Sequence, residues 1–455
     1  MSPDLGCYNS SIKGVETPNL DAFSKQSTRF THVFGTSGVC SANRSAFNTG
    51  MYQTSIGAHN HRTSIKRPLP EGVRTIPDYF RKAGYFVCNG QPGEHPERPI
   101  AKAGKVDWNF SVEGKPFDGS DWSQREPGQP FFSQVNIDES HRPWARDMRN
   151  PVNPAEIEIP PYYPDHPLFR IDWALYLEEV QVFDRKVGAI LERLEKEGLS
   201  RNTIVFIFSD NGRPFCRDKG YIYDGGLRVP LMVRWPDGRW ANLVDDRLIS
   251  MIDLGPTAMQ MAGIEIPDHM QGRPIYGSDS IERTMVFAAK DRIGSVSDRV
   301  RGLRTKEFKY LRNFKPEIPY LPINRYSLLT HPSLSALIMV HQRGDLDPML
   351  TPLVLDRRPE EELYDLRNDP YELNNLVGQP KYEKTLLGFR HRIIDWATES
   401  GDQGVQFESQ ELIQAYLDWL DPYLTAQLKP MGIALADLSA ETMYHYWMYK
   451  YDLSE

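Results

Sequence analysis

The chain has 455 residues, 40% hydrophobic and 25% charged. That is ordinary globular composition and enough chain for about two or three domains. A net charge of -8 excludes the basic balance of a nucleic-acid-binding protein, and no run reaches the ~18 apolar residues of an integral membrane segment.

Four cysteines, at positions 7, 40, 88 and 216, lack metal-ligand spacing and make no disulfide framework. Pro18 to Phe23 reads as a short helix with Asn19 as its cap. Arg29 to Phe34 alternates as a strand, and Cys40 opens a helix. Thr75 to Gly84 is a helix ending at glycine, and Tyr85 to Asn89 a strand. The proline-rich stretch from Gln91 to Ala103, with His95, has the character of an insertion. Gln129 to Asn136 is a strand that leads towards His141.

Between 170 and 197, Trp173, Tyr176, Val180, Phe183, Val187 and Leu194 recur at helical spacing. Asn202 to Phe208 is a continuous apolar run, the pattern of a central strand covered on both faces. Ile249 to Ala262 reads as a helix. Thr284 to Ala288 reads as a strand and Glu362 to Leu366 as a strand or turn, and Arg301 to Thr305 pairs with Phe308 to Leu311 across a turn at Lys306-Glu307. Tyr382 to Ser400 is amphipathic helix, and the chain from Gln406 onward is aromatic and helical.

Strand–helix alternation predicts an α/β fold: a mainly parallel central sheet sandwiched by helices, with a smaller C-terminal α+β unit on a short antiparallel sheet. The expected boundaries are 1–280 for the α/β domain, 281–400 for the α+β unit and 401–455 for a helical extension. Functional groups then collect at the carboxyl ends of the strands.

Asp210-Asn211 ends the apolar run. Two oxygen donors there suit a hard cation, calcium or magnesium, or an Asx turn. Around Cys40 the sequence is Cys40-Ser41-Ala42-Asn43-Arg44, closed by Thr49-Gly50. Phe208-Ser209-Asp210-Asn211-Gly212 is followed by Lys219 and by Tyr223-Asp224-Gly225-Gly226-Leu227-Arg228-Val229-Pro230. Ser140-His141-Arg142-Pro143 follows a strand, Gly104-Lys105-Val106-Asp107-Trp108-Asn109 precedes it, and Glu362-Leu363-Tyr364-Asp365-Leu366 lies near the end. In this order the blocks resemble the type I sulfatases of the alkaline phosphatase superfamily, in the style of sulfamidases and glycan sulfatases.

The resemblance implies that Cys40 is oxidised to formylglycine by a formylglycine-generating enzyme. The aldehyde hydrate then offers one hydroxyl to attack sulfur and a second to expel sulfate. It implies catalytic roles for Cys40, Arg44, Lys105, His141 and Lys219. It also implies Ca2+, with Mg2+ as the alternative, on Asp210, Asn211 and the modified Cys40. His59, His61 and Asp107 are expected at the sugar, or as ordinary loop residues; Arg217 is expected on substrate or in solvent.

The family's paired metal-binding aspartates precede the Leu5-Gly6-Cys7-Tyr8 loop, and the chain begins after that point. A late start codon or a genuine truncation is the expectation drawn from this, with no signal peptide read and a periplasmic or secreted location implied by the family. The expected function is hydrolysis of sulfate esters or sulfamates of a sulfated carbohydrate. The alternatives are a phosphonate or phosphodiester hydrolase, or a truncated, non-catalytic glycan-binding relative.

Overall fold

The computed structural model describes residues 1–8, 14–93, 100, 102–277, 280 and 282–453. The stretch around His95 lies outside the described residues. In chain order come α1 (Pro18–Ser24), β1 (Thr28–Phe34), α2 (Cys40–Phe47), α3 (Ile76–Lys82), β2 (Phe86–Gln91), β3 (Lys102–Ala103) and β4 (Phe131–Val135). They are followed by α4 (Pro167–Lys196), β5 (Val205–Phe208), α5 (Asp224–Leu227), β6 (Arg228–Arg234), β7 (Leu243–Ser250) and α6 (Leu254–Met261). The C-terminal part holds β8 (Val286–Lys290), β9 (Val300–Arg304), β10 (Phe308–Asn313), α7 (Arg325–Thr330), α8 (Pro332–Gln342), β11 (Glu361–Asp365), α9 (Glu383–Ser400), α10 (Gln410–Leu428) and α11 (Ala440–Lys450).

The α/β class is as expected, with helices on both faces of the main sheet. Strand order there is β5-β6-β1-β7. β1 runs parallel to β7, while β6 enters antiparallel to both β5 and β1, so the pairing is mixed. Side chains alternate along each strand and commit to opposite cores. Val229, Leu231 and Val233 of β6 join Phe30 and Val33 against Phe47 of α2 and Leu254 of α6. Met232, Phe34 and Leu248 face the other way, into the core built by α1 and α4 around Leu20, Trp173 and Tyr176. A second sheet, β3-β2-β4, is covered by Phe80 of α3 on one face and Leu194 of α4 on the other.

Local chemistry fixes several helix ends. The His166 side chain accepts from Leu168 N at 3.1 Å, and Pro167 occupies the first turn of α4, where its missing N–H costs nothing. The Thr75 hydroxyl caps α3, and Arg81 and Lys82 sit in its last turn. Asn19 is not the cap of α1. Thr17 occupies that position, and Asn19 lies inside the first turn, where its Nδ2 donates to Asp184 of α4 at 2.7 Å.

Two further expectations are corrected. The helix read from Ile249 begins only at Leu254, because Ile249 and Ser250 finish β7, paired with Val33 and Phe34. β5 is not a doubly covered central strand. It ends its sheet, and all four of its residues are half-buried. Among the described residues, neither its outer edge nor that of β4 has a strand partner. Between the two edges runs a groove of about 830 Å³, lined by apolar side chains such as Phe131, Phe132, Val205 and Ile207.

The C-terminal sheet, β11-β10-β9-β8, is antiparallel throughout. Trp396 of α9 stacks on Phe287 of β8 with ring centroids 5.1 Å apart. α7, α8, α10 and α11 pack on the same core as α4. No described helix is long and apolar enough to cross a membrane.

Arg301 of β9, fully buried, ties this sheet to the following segment. It donates to Asp291 at 3.0 Å and to both oxygens of Asp402 at 2.6 and 2.9 Å. Removing one partner of a buried pair leaves uncompensated charge, at a cost of about 3–5 kcal/mol. Arg301→Met is expected to lose about that much stability, read as a lower midpoint in urea denaturation; an unchanged midpoint would contradict this role.

Candidate active site

Cys40 is the first residue of α2, preceded by Val39 in an extended conformation. Its thiol is buried and donates to Asn211 Oδ1 at 3.2 Å. The first turn of a helix offers free N–H groups and positive partial charge, favourable to an anion. Arg44, one turn later, falls on the same side of α2. The loop before Cys40 and the loop carrying Lys219 are pressed together. Gly220 N donates to Gly38 O at 2.9 Å, and a Cβ on residue 38 would stand 2.3 Å from Tyr221 O. Only glycine permits that approach.

Arg44 bridges three elements. Its Nε donates to Val106 O at 3.1 Å, and its Nη2 to Lys105 O at 2.5 Å and to Asn136 Oδ1 at 2.7 Å, at the end of β4. Its Nη1 lies 3.7 Å from Asp210 Oδ2. Burial pushes the Asp210 carboxyl towards protonation. The charges of Arg44, Lys105 and Lys219 outweigh that and hold its pKa below the ordinary range. Burial likewise opposes the charge on Lys105, yet Cys40, Asp210 and Asp107 hold its pKa above the usual lysine value. Lys105 Nζ is 3.2 Å from Asp107, which also accepts both arms of Arg62 at 3.1 and 3.0 Å.

His141 stands past the end of β4, after Ser140 in a left-handed conformation (φ 73°). Its Nδ1 faces Arg142 O at 2.7 Å. A carbonyl only accepts, so Nδ1 carries the proton and Nε2 is the bare acceptor. Lys219, then burial, then Lys105 lower its pKa to about 3. The amino group of Met1 donates to Ser209 Oγ at 2.8 Å and Asn211 O at 2.7 Å, and burial lowers its pKa to about 5.

The structure therefore gathers Arg44, Lys105, His141, Lys219, Asp210 and Asn211 on the lining of the groove, with Cys40 against Asn211. Asp107 is at its side, and the field of Lys219 also reaches His61. His59 is turned elsewhere, buried beside Arg301, Asp402 and Glu408. Arg217 is neither on substrate nor in solvent. It is 1% exposed, donates to Glu372 O at 2.5 Å and lies over the Tyr223 ring at 4.1 Å. Sequence reasoning took Arg62 only as part of the His59-Asn60-His61-Arg62 stretch expected at the sugar, and passed over Asn136, although it directly follows the last residue of β4.

Among the described residues no three His, Cys, Asp or Glu side chains cluster as a metal site. Asp210 and Asn211 supply three side-chain oxygens. One Asn211 oxygen already accepts from Cys40, and Asp210 faces Arg44. Calcium takes about six to eight oxygens, so this donor set does not by itself complete a site.

The arrangement suits hydrolysis of an anionic ester, with a buried thiol at a helix N-terminus, preorganised cations and a neutral imidazole. The family model described as Sulfatase matches residues 1–93 and 117–264. That described as N-sulphoglucosamine sulphohydrolase, C-terminal, matches residues 214–318. An ulvan-active sulfatase of Formosa agariphila is 33% identical over 467 residues, covering 90% of this chain and 76% of that protein. N-sulphoglucosamine sulphohydrolase of Homo sapiens is 24% identical, covering 88% and 89%. The solved phosphonate monoester hydrolase of Agrobacterium radiobacter shares the fold at a TM-score of 0.60 and 17% identity, covering 89% and 94%. The chain belongs to the sulfatase family and is a sulfuric ester hydrolase. Membership implies formylglycine and a divalent metal.

Protonation of His141 removes its acceptor only as pH falls towards about 3, not through the ordinary histidine value of about 6.5. kcat/KM reports the free enzyme. Its pH profile between 4 and 8 is expected to show no inflection from this residue. An acid limb near 6.5 that disappears in His141→Gln would refute this.

Proposed function

We propose that the chain removes sulfate from a sulfated carbohydrate after conversion of Cys40 to formylglycine. One observation carries the reading. The Cys40 sulfur, at the N-terminus of α2 and 3.2 Å from Asn211 Oδ1, adjoins an Asp210 carboxylate held by Arg44, Lys105 and Lys219. Formylglycine hydrate would supply the attacking hydroxyl and a second hydroxyl to release sulfate. Arg44, Lys105 and Lys219 lie where charge develops on the sulfate oxygens and stabilise it without reorganising. His141 Nε2 takes a proton and returns it to the leaving oxygen or nitrogen. Bound sulfate offsets the lysine charges that depress His141, so the imidazole holds its proton better with substrate present than without.

The names of the ulvan-active and N-sulphoglucosamine relatives support a sulfated sugar, cleaved at an O–S or N–S bond. Calcium is the proposed metal, since Asp210 and Asn211 offer hard oxygen donors; magnesium is the rival. A formylglycine-generating enzyme is the proposed maturation partner, and the periplasm or exterior the proposed location.

The test is mass spectrometry of the Cys40 peptide after co-expression with a formylglycine-generating enzyme, joined to turnover of 4-nitrophenyl sulfate. The expected result is the thiol-to-aldehyde mass loss and sulfate release that falls about 1,000-fold or more in Cys40→Ala. Faster turnover of a 4-nitrophenyl phosphonate would favour the phosphonate hydrolase reading. Full conversion with no turnover, but binding of a sulfated oligosaccharide, would favour a binding relative.

A further inference from the structure

Arg142 joins two histidines. Its carbonyl accepts from His141 Nδ1, and its Nη1 donates to Thr330 O at 2.8 Å, the residue before His331. The Thr330 hydroxyl gives its proton to Tyr326 O at 2.8 Å. Thr330 Oγ1 is then an acceptor towards His331 Nδ1, 2.9 Å away. His331 therefore has the same tautomer as His141, with its proton on Nδ1 and a bare Nε2.

His331 is half-buried and lies in the field of both Lys219 and His141. Burial, then Arg142 and Lys219, keep it neutral, with its pKa well below the usual value. Tyr326, one turn back on α7, lies in the field of Arg62 and Cys40 and stacks on Tyr423 of α10 at 6.4 Å. Arg142, holding His141 by its carbonyl and Thr330 by its guanidinium, thus ties the α7–α8 corner to the site, and the corner's neutral acceptor is unsuited to sulfate oxygens, which carry lone pairs of their own. It suits a hydrogen-bond donor.

We propose that His331 Nε2 binds substrate, accepting a hydrogen bond from a hydroxyl or N–H of the leaving sugar and so placing the scissile bond against His141. The inference rests on the carbohydrate sulfatase reading above.

The experiment compares wild type, His331→Ala, His331→Gln and His141→Ala, all with Cys40 converted. The substrates are N-sulfoglucosamine, ulvan oligosaccharides and 4-nitrophenyl sulfate, whose leaving group has no neighbouring donor. His331→Ala is expected to lose about 10-fold in kcat/KM on the sugar, mainly through KM, and no more than about twofold on the aryl sulfate. His331→Gln, which keeps an acceptor near the Nε2 position, is expected to recover most of that loss, and His141→Ala to lose both activities. If His331→Ala melts lower, His331→Gln decides. Equal loss on both substrates, or no loss on the sugar, overturns the inference while the sulfatase reading stands. So does a wild type that cleaves only the aryl sulfate. A converted wild type that cleaves no sulfate overturns both.

Discussion

The guanidinium of Arg142 is the contact on which the active end of the molecule depends. It is 5% exposed, yet its donors meet both oxygens of Asp172 on α4 at 2.7 and 2.8 Å, Pro214 O at 2.8 Å and Thr330 O at 2.8 Å. The Trp144 ring lies 3.7 Å beneath it. Taking two charges out of water costs several kcal/mol per ion unless every donor is met. Here one planar fork meets four oxygens, a geometry that lysine's point charge cannot reproduce. Four segments are thereby brought together: the His141 loop, the core helix, the loop leading to Lys219 and the α7–α8 corner.

The second organising feature is positive charge gathered in advance. Arg44 is fixed by two carbonyls and an amide oxygen, so it does not collapse onto Asp210, 3.7 Å away. Lys105 is steadied by Asp107, which Arg62 holds in turn. Like charges held close repel, and part of that energy is returned when a sulfate enters. The same field keeps His141 and His331 neutral. Cation placement and proton acceptance are thus one electrostatic arrangement rather than two.

Much of this was legible in the sequence, because motif spacing fixes local geometry. Cys40 and Arg44 lie four apart on one helix, and Asp210-Asn211 ends a strand. Other features depend on partners that the local sequence does not name. The apolar run of β5 reports what its side chains prefer, not that its outer edge faces a groove. Arg217 looks like any surface arginine until Glu372, 155 residues away, supplies its acceptor. His59 and His61 are two residues apart but serve different neighbourhoods, because the loop between them is pinned at His61 N by Arg292 O. α8 is almost uniformly apolar over Leu334 to Val340, without the stripe that announces a helix, and so the corner bearing His331 went unread.

That last omission follows from how the site is divided. The clustered cations, the Cys40 thiol and Asp210-Asn211 come from α2, the loop before β4 and the loop after β5, where short motifs carried them in the sequence. The α7–α8 corner, by contrast, is placed by packing: α7 and α10 share the core of α4 through Leu328, Leu329 and Leu420. Packing of that kind constrains size and polarity but not identity. Arg142 meanwhile holds the backbone carbonyl of Thr330, a contact that no side-chain substitution at position 330 removes directly. A main-chain anchor of this kind ties the corner to the His141 loop through the backbone alone, whatever side chain position 330 carries.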